Sequence, residues 1–205
     1  MKNTVDGFIA ALRFLKKAYT ADGGKGSGNF NHAGRPGEIG GSAPDKTSGG
    51  SNKIAKAKTT DVTEEYTSKA KPNSGTIKIA SNYNKINHQD EIALAHFLHK
   101  TFGGDIELLA ESNAIGRKSP DYKWHGKYWE LKSVSSLTST DDQLRSALKQ
   151  IRNLPGGVIL SYKKLTIPMS KIESVIQMRL ARSSKLGIDV MIVVNGKVKK
   201  IIREK

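Results

Sequence analysis

The sequence predicts a single α+β (α/β) domain over residues 75–205, with elements in the order α-β-β-β-α-β-α-β-β, behind a disordered leader. Three observations carry this. The 205 residues suffice for one good-sized core and not for two. From about Thr76, helical periodicity alternates with short apolar or alternating runs punctuated by Gly, Pro and Asn. Ahead of that, 10 of the 28 residues from Gly23 to Gly50 are glycine, so ordering them costs much backbone entropy and buries little apolar area.

The leader divides in two. Residues 1–20 read as an amphipathic helix, with Phe8, Ile9, Leu12 and Leu15 on one face and Arg13, Lys16 and Lys17 nearby. The charges follow the apolar stretch instead of preceding it, so this is not a secretory signal; packing on a partner, a remnant of a larger protein and lying on a membrane surface are the alternatives. Residues 21–74 read as a Gly/Ser-rich disordered linker that ends in aperiodic Lys, Thr, Ser and Ala. A phosphate-cradling glycine loop would need a strand before it and a helix after it, and neither is visible there.

Within residues 75–205, Asn87 is placed to cap a helix from His88 to Phe102, which Gly103-Gly104 end. Ile106 to Ala110, Ser119 to Trp124 and Lys127 to Val134 read as strands. A second helix, Asp141 to Asn153, puts Leu144, Ala147, Leu148 and Ile151 on one face and Arg145, Lys149 and Arg152 on another, before Pro155-Gly156-Gly157 stop it. Val158 to Tyr162 is an apolar strand. Ser170-Lys171-Ile172-Glu173 looks like a capping box opening a helix to about Ser183. The chain then forms a hairpin, Ile188 to Val194 and Lys197 to Arg203, turning at Asn195-Gly196.

Charge and composition bound the function. Thirty-four Lys and Arg against 19 Asp and Glu leave +15, and residues 75–205 hold 22 basic and 12 acidic side chains, so the surplus follows the folded part. A polyanion is the expected partner, with solubility alone as the bland alternative. With no Cys there is no disulfide framework, thiolate metal site or cysteine nucleophile. No apolar window long enough to span a bilayer exists, so no membrane role is expected beyond surface contact.

The chemistry concentrates in one hairpin. A two-residue turn at His125-Gly126 pairs Trp124 with Lys127, Tyr122 with Trp129, and Asp121 with Glu130. Alternation then sends Tyr122, Trp124, Trp129 and Leu131 to a core face, and Asp121, Lys123, Tyr128, Glu130 and Lys132 to a polar, wet face. Directly opposed carboxylates repel, so a cation is expected between them: Lys132, a divalent metal, or both. Metal-held carboxylates beside an ammonium suit the attack of water on a phosphorus. The plain alternative is a set of surface ion pairs, Asp121 with Lys123 or Lys127 and Glu130 with Lys132.

Ser119-Pro120-Asp121, eight positions, then Glu130-Leu131-Lys132 resemble the motif of the PD-(D/E)xK nuclease superfamily, whose restriction-endonuclease-like core runs α-β-β-β-α-β. The span from Glu107 to Arg203, with Gly126, Trp129-Glu130-Leu131-Lys132-Ser133 and Gln150, is similar to the C-terminal toxin domains of CdiA-type contact-dependent inhibition proteins. Residues Gly24 to Gly37 resemble a segment of Mu F-type phage head-morphogenesis proteins. These resemblances imply a toxin-type nuclease acting on RNA, tRNA before other RNA, in the bacterial cytoplasm. They also imply an immunity protein, phage head components as further partners and carriage in a phage particle. A divalent metal ion (Mg, Mn or Zn) at Asp121 and Glu130 is expected, with Glu111 as a further ligand and Lys132 assisting the water. Glu91 is a further acidic candidate, or else a dipole-favoured residue at a helix start. Gln150, Arg145 and Lys149 are the candidate substrate contacts. His96 and His99 read as surface packing.

Two rivals stay open. A metal-independent RNase toxin of barnase, EndoU, colicin or RelE-like type would use protein acid and base groups and the RNA's own 2′-hydroxyl. A non-catalytic phage head protein would merely bind nucleic acid. The opposed carboxylates argue against the second, because they weaken polyanion binding unless a cation bridges them.

Overall fold

A computed structural model describes residues 56–111, 119–151, 155–183 and 187–205. The leader helix expected over residues 1–20 and most of the linker lie outside the described residues. Ile54–Lys205 form one compact unit, built on one mixed sheet of eight strands. In chain order these are β1 (Thr59–Asp61), α1 (Thr63–Ser68), β2 (Ile77–Ile79), α2 (Gln89–Phe102), β3 (Ile106–Leu108), β4 (Tyr122–Trp124), β5 (Lys127–Val134), α3 (Leu137–Gln150), β6 (Gly156–Tyr162), α4 (Met169–Ala181), β7 (Asp189–Val194) and β8 (Lys197–Glu204). The expected α-β-β-β-α-β succession is present as α2-β3-β4-β5-α3-β6.

Across the sheet the order is β1-β8-β7-β6-β5-β4-β3-β2. The central strands β5, β6 and β7 run parallel, and antiparallel partners flank them. Alternation along each strand divides the core. Leu144, Ala147 and Leu148 of α3 and Ile172, Ile176 and Leu180 of α4 pack on Val134, Val158, Leu160 and Val190. Leu94, Ala95, Leu98 and Phe102 of α2 pack on Ile106, Leu108, Tyr122, Trp124, Trp129 and Ile159 on the other side. Both faces of the parallel strands are therefore covered, as parallel strands require.

Several boundaries move for identifiable reasons. The expected linker over residues 21–74 ends early: β1 pairs antiparallel with β8, and Val62 and Tyr66 join the core. Three-residue strands carry too little periodicity to be seen beforehand. Helix α2 starts one residue later than expected and is not capped by Asn87; instead Asn84 Oδ1 accepts from the backbone N–H groups of Ile86 and Asn87, and His88 occupies the cap. Helix α3 starts at Leu137 because Ser136 and Ser139 form a reciprocal box, with serine where glutamate usually signals one. The box expected at Ser170 is absent: Pro168 holds the cap position and its carbonyl accepts from Lys171 and Ile172. Although it carries Lys197, Lys199 and Lys200, as exposed edge strands often do, β8 is not an edge strand. It lies between β7 and β1, Lys200 pairs with Glu173, and Arg203 pairs with Asp189 and Glu65.

Pro155-Gly156-Gly157 does more than stop a helix. Gly157 pairs with Trp129 across β5 and β6, and a Cβ on Gly157 would fall on the six-membered ring of Trp129. Trp129 is fully buried, so it has no room to yield. Gly157→Ala is expected to cost about 1–3 kcal/mol, read as a lower urea midpoint with an unchanged slope.

Candidate functional site

The β4–β5 hairpin carries the expected register, with Tyr122 opposite Trp129, Lys123 opposite Tyr128 and Trp124 opposite Lys127. Its turn is of the type that needs positive φ at both residues, and His125 and Gly126 sit at 50° and 70°. The aromatic face anchors the hairpin. Trp124 Nε1 donates to the Gly103 carbonyl, Trp129 Nε1 to the Trp124 carbonyl, and the Tyr122 hydroxyl to the Glu91 carbonyl. These bonds tie β4 to α2 and its cap, and β5 to β4.

The opposite face brings Asp121, Glu130 and Lys132 together. The expected Asp121–Glu130 rung is not part of the ladder: Asp121 lies just outside β4, and its N–H donates to the carbonyl of Trp129, the residue already opposite Tyr122. Its Oδ2 accepts from the Leu131 N–H at 2.7 Å, which pins the carboxylate against β5 beside Glu130. Lys132 Nζ donates to Glu130 Oε1 in an ion pair. Burial and the charges on Glu130 and Glu91 push the Asp121 carboxyl up to about 8, against the opposing pull of the Leu131 N–H and Lys132.

One expectation fails in part. Glu130 is only 1% exposed, not on a wet face. The reason is the position of β5: it is a central strand, and α3 covers the side toward which Glu130, Lys132 and Val134 alternate. Polar residues at alternate positions show which face is not apolar core, but they do not show whether water or a helix covers it.

A second group adjoins the pair. Glu91 accepts from the Tyr83 hydroxyl at 2.6 Å through Oε2, and pairs with His88 Nδ1 at 2.7 Å through Oε1. Both oxygens of Glu91 are therefore engaged, though its charge still reaches Asp121. Glu111 stands apart, its side chain 83% exposed, with Oε1 3.9 Å from His88 Nε2. Among the described residues no three His, Cys, Asp or Glu side chains converge as a metal-holding group. Asp121 and Glu130 meet; Glu111 does not join them.

The three expected substrate contacts all lie on α3, which packs against β5 and β6. Arg145 is half-exposed and pairs with Asp142 at 3.1 Å. Lys149 is exposed. Gln150 is different: its Oε1 is buried without a hydrogen-bond partner among the described residues. His99 Nε2 approaches the Gly75 carbonyl at 3.2 Å, which fits a packing role. The residues that sequence reasoning passed over are Tyr83 and His88. The His88 to Glu91 spacing at a helix start is a visible signal; nothing in the sequence marks Tyr83.

No family model matches the sequence, and no curated protein matches it. Among solved structures, a chain described as "CdiA-CT/CdiI toxin and immunity complex from Burkholderia pseudomallei" is similar at 16% identity and a TM-score of 0.42, covering 64% of this chain and 99% of that one. No helix among the described residues is long and apolar enough to cross a membrane.

Proposed function

We propose that the folded unit is a toxin-type nuclease that hydrolyses phosphodiester bonds in RNA, tRNA foremost, with Asp121, Glu130 and Lys132 as its working groups. The observation that carries this reading is the Asp121 carboxylate held on the Leu131 N–H, beside Glu130, with Lys132 paired to Glu130. Opposed carboxylates raise each other's cost of ionisation, and a protein of net charge +15 has no need of them to bind a polyanion.

The donor set suits a hard divalent cation such as Mg, which binds through one or two carboxylates and leaves its other positions to water and substrate phosphate. That fits a site where two carboxylates meet and a third does not. Asp121 and Glu130 would hold it; Glu111 would need to swing in from the rim. When bound, the ion supplies Lewis-acid stabilisation of phosphate oxygens and an acidified water. Lys132 keeps an ammonium beside Glu130, where it favours negative charge building on the attacked phosphate. Gln150 brings a buried amide oxygen whose missing partner costs about 1–3 kcal/mol, so a donor from the substrate or a water is favoured there. Arg145 and Lys149 offer exposed cations for the backbone.

By resemblance alone, the reading extends to an immunity protein as neutralising partner, phage head components as carriers, and the bacterial cytoplasm as place of action.

A second reading rests on His88. An imidazole oriented by Glu91, with Tyr83 on the same carboxylate, is an acid–base group of the kind that cleaves RNA through its 2′-hydroxyl. A chelator separates the two. Incubated with tRNA, the full chain is expected to stop cutting in EDTA and to resume with Mg. Continued cleavage in EDTA, leaving 2′,3′-cyclic phosphate ends, would transfer the chemistry to His88. No cleavage in any buffer, with harmless accumulation in bacteria, would favour the nucleic-acid-binding phage protein.

A further inference from the structure

Side chains at alternate positions of a paired strand share a face and stand about 6–7 Å apart. In the β4–β5 hairpin, Lys123, two residues from Asp121, stands opposite Tyr128, two residues from Glu130. Lys123 Nζ lies 6.0 Å from the centre of the Tyr128 ring. Lys123 is exposed and Tyr128 half-buried, with the Lys123 ammonium over the Tyr128 ring.

The same row continues across the sheet. Glu107 pairs with Lys123, and Lys78 with Glu107, and all three are exposed. With Asp105 and the turn residue His125 they line a groove of about 390 Å³. Two lysines and two carboxylates leave it formally neutral, which does not suit a run of phosphates. Tyr128 adjoins this groove through Lys123, and mixed donors and acceptors beside an aromatic ring suit the edges and face of a nucleobase. The spacing between rungs is also close to the distance between successive nucleotides of an extended strand.

We propose that Tyr128, Lys123 and Glu107 form a base-binding subsite for the nucleotide next to the scissile phosphate, so the substrate is unpaired there. This deepens the nuclease reading and rests on it for the word scissile. A paired base presents both faces to its stacked neighbours; only an unpaired one can lay a face on Tyr128 and an edge on Lys123 and Glu107.

The test is equilibrium binding of a short labelled RNA to the full chain in the Glu130→Gln background, as a single strand and as a duplex. Tyr128→Ala is expected to weaken single-strand binding by roughly 5- to 100-fold and to leave duplex binding unchanged, while Tyr128→Phe binds like its parent. A melting curve for each variant confirms that the fold persists. Unchanged single-strand binding in Tyr128→Ala, or equal losses for strand and duplex, overturns the subsite. Cleavage by the unmutated chain is scored separately. If it cuts and Tyr128 is irrelevant, only the subsite falls. If it never cuts but strand binding depends on Tyr128, the subsite stands and the nuclease reading falls.

Discussion

Glu130→Gln and Lys132→Ala are each expected to lower the rate of phosphodiester cleavage by about 10²–10³-fold or more while the protein stays folded. Glutamine keeps the shape of Glu130 and an acceptor oxygen for Lys132, and removes the charge that would hold a cation. Lys132 is 19% exposed and can extend its ammonium to water when its partner is neutral. In Lys132→Ala the 1% exposed Glu130 loses that ammonium, so this variant carries the larger loss of stability. Activity should therefore collapse in both variants, with a modest loss of stability in Glu130→Gln and a larger one in Lys132→Ala. The measurement is a single-turnover rate on tRNA beside a thermal melt. Unchanged cleavage in either variant removes Asp121, Glu130 and Lys132 from the chemistry, whatever the charge of the surface.

The largest expected effect on stability lies elsewhere, at Asp189. This residue opens β7 fully buried, and its carboxylate accepts from the Tyr66 hydroxyl, Lys127 Nζ and Arg203 Nε, each at 2.6 Å. It joins α1, β5 and β8 through one group, and Arg203 extends the network to Glu65 at 2.7 Å. Asp189→Ala strands Lys127 and Arg203 beside a hole. Removing one partner of a buried pair typically costs 3–5 kcal/mol; because Lys127 and Arg203 are 25% and 30% exposed, the low end, about 3 kcal/mol, is expected. For a unit of this size that is roughly 10 °C in melting temperature.

The same group fixes a pH dependence. Burial works to raise the Asp189 pKa, but hydrogen bonds from Arg203, Lys127 and Tyr66 overcome it and hold the carboxyl below the usual range. The folded protein therefore binds this proton less readily than the unfolded chain does. Its contribution is fully present above the unfolded value near pH 4 and is lost as pH falls through the folded value. Melts taken from pH 7 to pH 3 should show Asp189→Ala converging on the parent at the acid end. Parallel curves at all pH values would assign the loss to packing alone.

Much of this was legible before any coordinates. Asn195-Gly196 and His125-Gly126 fix their hairpins because both positions need positive φ, a local requirement that sequence states directly. The apolar stripes of α2 and α3 and the pairing of Tyr122 with Trp129 follow from periods of 3.6 and 2 along neighbouring residues. By contrast, β1 and α1 hide in a Lys/Thr/Ser stretch because they are held by β8 and Asp189, more than a hundred positions away in sequence. Asp189 itself sits in an apolar run that reads as plain strand.

The sequence by itself determined the order of elements from α2 to β8 and the register of β4 against β5 next to the turn, since each depends on residues a few places apart. Tertiary structure alone decided that Glu130 is covered by α3, that Glu91 is taken up by Tyr83 and His88, and that Glu111 stays at the rim. Burial and partner choice depend on which distant elements arrive over a face, and no local period encodes that.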